Sequence, residues 1–260
     1  MPEHLKATLC DDVATVLLAR PKAYNAFDLD MVSTMAEQLV QLGADETIRV
    51  VIVSGEGKAF CSGGDLRWVA SWPQGPAAAF HHLAARLNML TVEIRRMPKP
   101  VIAAVNGIAA GAGFSLALAC DFRIMEKSAV LRQAYTSSGL AIDGGGTFML
   151  PRLVGMARAM EICAFDRPIS AEQALRWGLA TRVVEDGRAL EEANSMAAEL
   201  AQTSLQAFRY SKQLLSDSFS NSFETHLELE RAALSTCAAH PDGQEGIEAF
   251  LDKRQPAFNR

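Results

Sequence analysis

Two glycine-rich loops hold the residues best suited to chemistry. The first is Ala59-Phe60-Cys61-Ser62-Gly63-Gly64-Asp65-Leu66, which follows the apolar run Val50-Val-Ile-Val53. The second is Gly111-Ala112-Gly113, set between the apolar run 101–105, broken by Asn106-Gly107, and an apolar segment from Phe114 to Cys120. A short continuous apolar run suits a buried strand, and the denser segment behind the loop suits a helix. Such a junction leaves the first backbone N–H groups of the helix without partners, at the positive end of its dipole. Those donors can hold a carbonyl oxygen as it becomes negative. A single Gly-x-Gly can serve close packing alone. Two such loops, each behind a buried strand, can supply one donor each, which is what an oxyanion hole needs.

Periodicity outlines the elements that must position these loops. Val13-Ala-Thr-Val-Leu-Leu18 predicts a strand. Met31, Met35, Leu39 and Leu42 recur at helical spacing and predict an amphipathic helix from Leu29 to Leu42, ended by Gly43. Trp72-Pro-Gln-Gly-Pro76 interrupts any helix, and Ala77 to Ile94 then reads as helical. Ala129 to Tyr135 predicts a strand. Ser170-Ala-Glu-Gln173 is a capping box opening a helix up to Trp177, with Gly178 as its stop. Further helices are predicted over about 188–202, 204–217, 222–239 and 243–254.

The chain of 260 residues is 49% hydrophobic and 21% charged, which suits one large domain or one domain with a helical appendage. A net charge of −5 and the lack of a basic run argue against nucleic-acid partners. No apolar run reaches the roughly 18 residues of a membrane span, and Met1-Pro-Glu-His lacks a basic signal-peptide start. The expectation is a cytoplasmic protein with no membrane partner. Cys10, Cys61, Cys120, Cys163 and Cys237 show no CxxC spacing, so neither a disulfide framework nor a zinc site is expected. His4, His81, His82, His226 and His240 form no metal-ligand pattern. Cys61 has no general base near it in sequence and reads as a small buried cysteine.

In order and spacing, the two loops resemble those of the crotonase superfamily, also called the enoyl-CoA hydratase/isomerase family. The resemblance takes in Arg20-Pro-Lys-Ala-Tyr-Asn-Ala26, then Gly145-Gly-Thr147 with Leu150-Pro-Arg152, and finally Glu245-Gly-Ile-Glu-Ala-Phe-Leu-Asp-Lys-Arg254. It therefore covers nearly the whole chain. It implies an α/β fold, a crotonase-like spiral of β-β-α turns over residues 1–200 carrying an acyl-CoA site. A helical C-terminal region, 201–260, is implied to mediate assembly into a homotrimer or a dimer of trimers. A coenzyme A thioester is the implied substrate. No metal or redox cofactor is needed, because the thioester is itself the electron sink.

Residue by residue, the resemblance makes Gly64 and Ala112 the oxyanion donors. It places Lys22 and Ala23 against the CoA moiety, and Ala59, Asp65, Leu66 and Arg67 in the segment around the acyl-CoA site. Ser115 and Tyr135 stand where hydratases carry their two glutamates, and neither is a base near neutral pH. Asp143 falls where isomerase-like branches of the family carry a catalytic aspartate. The wider stretch is similar to the epoxyphenylacetyl-CoA isomerase-like branch, which shares an Asp before the glycines and Leu150-Pro-Arg-Leu-Val-Gly-x-Ala-Arg-Ala-Met160. As a bare residue, an Asp before Gly-Gly-Gly-Thr also suits a turn or a helix cap. Leu140 and Ile142 beside it predict a desolvated carboxyl with a raised pKa.

The implied reaction is double-bond isomerisation of an enoyl-CoA, with Asp143 shuttling the proton and Ser115 and Tyr135 shaping the pocket. The rival readings are a hydratase or hydrolytic reaction with Asp143 activating water, and a catalytically silent acyl-CoA-binding subunit. Trp68, Trp72, Phe80, Phe114 and Tyr135 are open to two readings, an aromatic acyl pocket or ordinary packing. Asn88 lies nearest the position of an activating histidine in a related dehalogenase. Lys253 and Phe258 are candidates for touching the CoA of an adjacent subunit.

Overall fold

The computed structural model describes residues 4–259. The chain opens with an antiparallel pair, β1 (Leu5–Cys10) and β2 (Val13–Leu18), then a 3-10 turn (Pro21–Ala23) and α1 (Leu29–Ala44). Three successive units follow, each sending one strand to a larger sheet and the next to a smaller one before turning helical. In the first, β3 (Val50–Gly55) and β4 (Ala59–Cys61) precede α2 (Leu66–Ala70) and α3 (Pro76–Arg96). In the second, β5 (Val101–Val105) and β6 (Ile108–Ala110) precede α4 (Ala112–Ala119). In the third, β7 (Phe122–Glu126) and β8 (Val130–Arg132) precede a 3-10 turn (Thr136–Ser138) and α5 (Gly146–Phe165). Then come β9 (Ile169–Ser170), α6 (Ala171–Arg176), β10 (Arg182–Val184) and α7 (Ala189–Ala201). The chain finishes in α8 (Leu205–Asp217), α9 (Phe223–Ala239) and α10 (Pro241–Leu251).

The larger sheet has the order β1-β2-β3-β5-β7-β10 and the smaller one β4-β6-β8-β9. Pairing is parallel except at β1–β2 and β8–β9. This is the α/β spiral of β-β-α turns, with a helical C-terminal region, that the sequence predicts.

The central strands read as unbroken apolar runs because both of their faces are buried. Val51, Val53, Val101, Ala103 and Val105 join the core that contains Met35 and Leu39 of α1 and Leu87 and Leu90 of α3. The alternate residues Val50, Ile52, Ile102 and Ala104 pack instead with Ala189, Ala193, Met196 and Ala197 of α7. The period of two is intact, and its polar half has been replaced by a second core.

Predicted boundaries differ from the structure at the end of α1 and at the end of β8. Helix α1 runs through Gly43, and Asp45 caps it through a backbone bond to Gln41. Gly43 instead makes room, since a Cβ there would lie 3.0 Å from Glu93 Oε1 of α3. The strand expected to reach Tyr135 stops at Arg132, because Ala134 takes a left-handed φ of 54° and the Gln133 side chain accepts from the N–H of Tyr135 at 2.9 Å. Helix α5 was not predicted; Pro151 lies inside it and Gly155, with φ 75°, kinks it.

Lys212 ties the C-terminal helices to the spiral. From α8 its Nζ donates to Asp121 Oδ2 at 2.7 Å, to Ile94 O at 2.9 Å and to Lys99 O at 3.2 Å. The same Asp121 oxygen accepts from the N–H of Val101 at 2.8 Å. Leu215, Phe219, Phe223, Leu234, Phe250 and Leu251 of this region are each at least 70% exposed. Among the described residues no helix is long and apolar enough to cross a membrane.

Replacing Lys212 by Met removes one partner of a buried ion pair and leaves Asp121 with a single N–H donor. We expect the variant to lose about 3–5 kcal/mol of stability. Denaturant unfolding at fixed protein concentration measures this loss.

Candidate active site

The two glycine loops interlock at the ends of neighbouring parallel strands, β4 and β6. A Cβ on Gly113 would stand 2.1 Å from the Cys61 carbonyl oxygen, so α4 approaches β4 more closely than any side chain allows. Gly63, at φ 103°, has room for no Cβ beside Ala110 O, 3.0 Å away, and Ala112 N, 3.2 Å away. A parallel bridge joins Phe27 to the first loop through Phe27 N–H to Gly63 O at 2.7 Å and Asp65 N–H to Phe27 O at 2.8 Å. That bridge pins both neighbours of Gly64 and leaves its own N–H out. Neither the Gly64 N–H nor the Ala112 N–H, at the start of α4, has an acceptor among the described residues.

Gly64 and Ala112 line one cavity of about 80 Å³. Phe27, Val32, Phe80, Leu83, Leu87 and Leu140 make its walls apolar, and Tyr135, Ser138 and Asp143 bring side-chain oxygens to it. Ser62, Gly64 and Leu66 also line an outer groove of about 1050 Å³, whose other walls include Arg20, Lys22, Ala23, Tyr24, Asp65 and Arg67. The Gly64 donor therefore stands at the opening between groove and cavity.

A salt-bridged brace holds the groove. Arg20 Nη2 meets Asp65 Oδ2 at 2.9 Å, and Arg20 Nη1 meets Asp28 Oδ2 at 3.1 Å and Ala26 O at 2.6 Å. The other Asp65 oxygen caps α2, accepting from the N–H groups of Arg67 at 3.1 Å and Trp68 at 3.2 Å. Burial alone would raise the Asp65 carboxyl, but these donors and the Arg20 guanidinium hold it below its ordinary range. The buried Asn25 side chain accepts from the Arg20 N–H at 2.9 Å and donates to Ala59 O at 2.8 Å, fastening the groove loop to β4. Lys22 and Arg67 are exposed and form no ion pair among the described residues.

Asp143 faces the cavity between the 3-10 turn and α5. Tyr135 Oη donates to Asp143 Oδ1 at 2.5 Å. Burial pushes the Asp143 carboxyl above the ordinary carboxylate value, and the Tyr135 bond offsets part of that. The Tyr135 phenol is itself driven above its ordinary range, by burial first and by the neighbouring carboxylate second. The turn carrying Tyr135 is held by Gln133 and by Asp166, whose Oδ1 accepts from the Ala134 N–H at 2.8 Å.

Of the residues expected at the site, Gly64, Ala112, Tyr135 and Asp143 meet on the cavity, and Leu66 spans cavity and groove. Lys22, Ala23, Asp65 and Arg67 line the groove. Two of the expected residues lie off both spaces. Ala59 lines neither space; it is 1% exposed inside β4, with its carbonyl held by Asn25. Ser115 is fully buried behind the site, where its Oγ donates to the Asp143 carbonyl at 2.7 Å, so it supports the Asp143 main chain and lines no part of the cavity.

Phe80 is on the cavity wall, whereas Phe114 is core, and Trp68 and Trp72 stack on each other at 4.8 Å outside it. The Cys61 thiol is pushed up to about 12 by burial and is no nucleophile. Asn88 is exposed and lines no part of the cavity, Lys253 is exposed, and Phe258 packs against Gly246. Arg20 and Asn25 lie in the Arg20–Ala26 loop, where only Lys22 and Ala23 are expected to touch a ligand. Gln133 and Asp166 gave no signal: Gln133 turns back on the N–H of Tyr135 and reaches the Cys163 carbonyl, and Asp166 reaches back from beyond α5 to the Ala134 N–H and the Arg132 guanidinium.

The chain belongs to the enoyl-CoA hydratase/isomerase family, the crotonase superfamily, whose description matches residues 9–260. It is 39% identical over 259 residues, 99% of each chain, to a 1,2-epoxyphenylacetyl-CoA isomerase of Escherichia coli (strain K12). It is 33% identical over 249 residues, 95% of each chain, to a crotonyl-CoA hydratase of Syntrophomonas wolfei. Among solved structures, an enoyl-CoA hydratase from Polaromonas sp. JS666 superposes with a TM-score of 0.93 at 36% identity, covering 98% of this chain and 99% of that one.

Gly113→Ala is expected to force α4 away from β4 at a cost of about 1–3 kcal/mol. A lowered melting temperature, together with weakened acyl-CoA binding by calorimetry, checks the outcome.

Proposed function

We propose that this protein is an enoyl-CoA isomerase that moves a double bond along the acyl chain of a coenzyme A thioester. The observation that carries the reading is that Asp143 is the one carboxylate on a cavity that also presents two backbone N–H groups without acceptors, among the described residues. The CoA moiety occupies the outer groove, where Lys22 and Arg67 offer uncommitted positive charge to its phosphates. The thioester lies at the opening, with its oxygen between the N–H groups of Gly64 and Ala112. Asp143 takes a proton from C2 or C4, and the C–H electron pair passes into a dienolate whose charge settles on that oxygen. The same carboxyl returns the proton to the other carbon. Loss of one such oxygen donor typically costs about 3 kcal/mol of barrier.

The two positions where hydratases carry glutamates hold Ser115, which is buried behind the cavity, and Tyr135, whose phenol stays protonated. The name of the Escherichia coli relative supports isomerase chemistry, while that of the Syntrophomonas wolfei relative keeps hydration as the alternative to test. The exposed apolar residues of α8, α9 and α10 support assembly through the 201–260 region into a homotrimer or a dimer of trimers, which light scattering tests.

The decisive assay compares a 3-enoyl-CoA with crotonyl-CoA. We expect the first to become the conjugated 2-enoyl-CoA and the second to take up water slowly or not at all. Asp143→Asn is expected to lower kcat/KM by about 10²–10⁴-fold while CoA binding persists. Fast hydration without migration overturns the isomerase reading. No turnover of any acyl-CoA by either protein, with binding intact, makes the chain a silent binder.

The pH dependence has a defined sign. Asp143 must be ionised to accept the proton, and burial raises its pKa, so kcat/KM should fall on acidification through a value above the ordinary 3.8 of an aspartate.

A further inference from the structure

We infer that Tyr135 is a positioning residue that makes Asp143 a one-oxygen base: its hydroxyl occupies Oδ1, and Oδ2 alone takes and returns the proton. This inference rests on the isomerase reading above.

The geometry supports it from both sides of the bond. The donor cannot easily turn away. The Tyr135 main chain is held by Gln133 Oε1 at 2.9 Å, and its carbonyl accepts from Ser138 N–H at 2.8 Å and Leu140 N–H at 2.9 Å. The acceptor is fixed as well. The Asp143 carbonyl accepts from Ser115 Oγ at 2.7 Å and from the Gly146 N–H at 3.0 Å. With both main chains held, the 2.5 Å bond between Oη and Oδ1 sets the carboxylate's rotation.

No other charge competes for that carboxylate. Beside the loop that carries it, α3 brings Leu87 and Thr91 against Gly144, α4 brings Ser115, and Leu140 and Gly64 line the same cavity, all of them uncharged. Tyr135 is the one titratable side chain acting on it among the described residues. The phenol remains a donor throughout, because its own proton is held more firmly than an ordinary phenol's.

The consequence for the reaction follows from the balance of protons. When the C–H bond breaks, the proton goes to Oδ2 and the electron pair to the dienolate. Oδ1 already accepts from Tyr135, so rotation of the carboxyl, which would hand the proton away, means breaking that bond. The cavity, about 80 Å³ and walled by apolar side chains, has little room for exchanging water beside substrate. The proton on Oδ2 therefore returns mainly to the chain it left.

The test is isomerisation in D2O by the wild type and by Tyr135→Phe, with a full pH profile for each. For the wild type we expect little deuterium in the product. For Tyr135→Phe we expect more deuterium, kcat lowered by about ten- to a hundredfold with KM little changed, and the acid limb of kcat/KM moved up by about one pH unit. The direction follows because the lost bond had favoured the ionised carboxylate. A purely structural role for Tyr135 would move neither the label nor the limb, and unchanged values of both overturn the inference.

Direct titration of Asp143 in both proteins separates this inference from the reading beneath it. Carboxyl-¹³C aspartate NMR without substrate gives the titration, and Asp143→Asn assigns the signal. A wild type that moves no double bond, with a titration midpoint that still rises in Tyr135→Phe, removes the reaction and keeps the pairing. A wild type that isomerises while the midpoint stays fixed removes the pairing alone. Should Tyr135→Phe fail to fold, replacing the tyrosines by 3-fluorotyrosine makes the phenol a stronger donor. The Asp143 midpoint must then move down, and its failure to do so overturns the pairing.

Discussion

Gly113 lies so near the Cys61 carbonyl that one methyl group would sit 2.1 Å from the oxygen, and Gly63 meets Ala110, Gly111 and Ala112 in the same bare fashion. This contact between main chains sets the spacing of everything around it. Strands β4 and β6 are parallel neighbours, so both loops leave the smaller sheet at one end. With no side chains between them, the loops are held by main chain alone, and the Gly64 and Ala112 N–H groups are positioned as rigidly as the sheet. These two donors are thus main-chain groups anchored at the ends of β4 and β6, and no side chain has to find its place to present them.

The environment of Asp143 gives that rigidity its chemical value. Helix α4 is buried along its whole length, and the cavity beside it is walled by leucine and phenylalanine side chains. A carboxylate there has few dipoles to replace water, which explains its raised pKa. The outer groove is the opposite case. Arg20 is shared by Asp65, Asp28 and a backbone carbonyl, and the charges are neutralised locally. One chain thus keeps two electrostatic regimes a few residues apart, a braced polar groove and an apolar chamber with one acid.

Much of this was legible in the sequence, for physical reasons that differ by element. The glycine loops could be read because only glycine tolerates such approaches, so the need for them is written in residue type. The strands β2 and β5 were read to the residue, since a doubly buried strand has no polar alternation to blur its ends. Ser170 showed its capping box because both partners lie within one turn. What could not be read depended on side chains turning to main-chain partners, some near in sequence and some distant. The end of β8 is decided by Gln133 turning back on its own main chain and by Asp166 from beyond α5. Ser115 reads as a pocket residue because it stands where hydratases carry a glutamate, yet its hydroxyl turns toward the Asp143 carbonyl. Ala59 belongs to the strand that leads into the loop, and the strand is interior.

The sharing of Ser62, Gly64 and Leu66 between groove and cavity divides the labour of recognition. In the proposed reading, the half of the ligand common to every CoA ester is met by the loop after β2 and by α2. The variable half then meets the apolar cavity, to whose wall the single helix α3 gives Phe80, Leu83 and Leu87 beside Phe27, Val32 and Leu140. On that reading a lineage can retailor much of the cavity wall by editing one face of one helix, leaving the grip on the universal carrier alone. On such a scaffold, likeness over the whole chain follows the carrier, while the diet is written in a few side chains that overall identity barely registers.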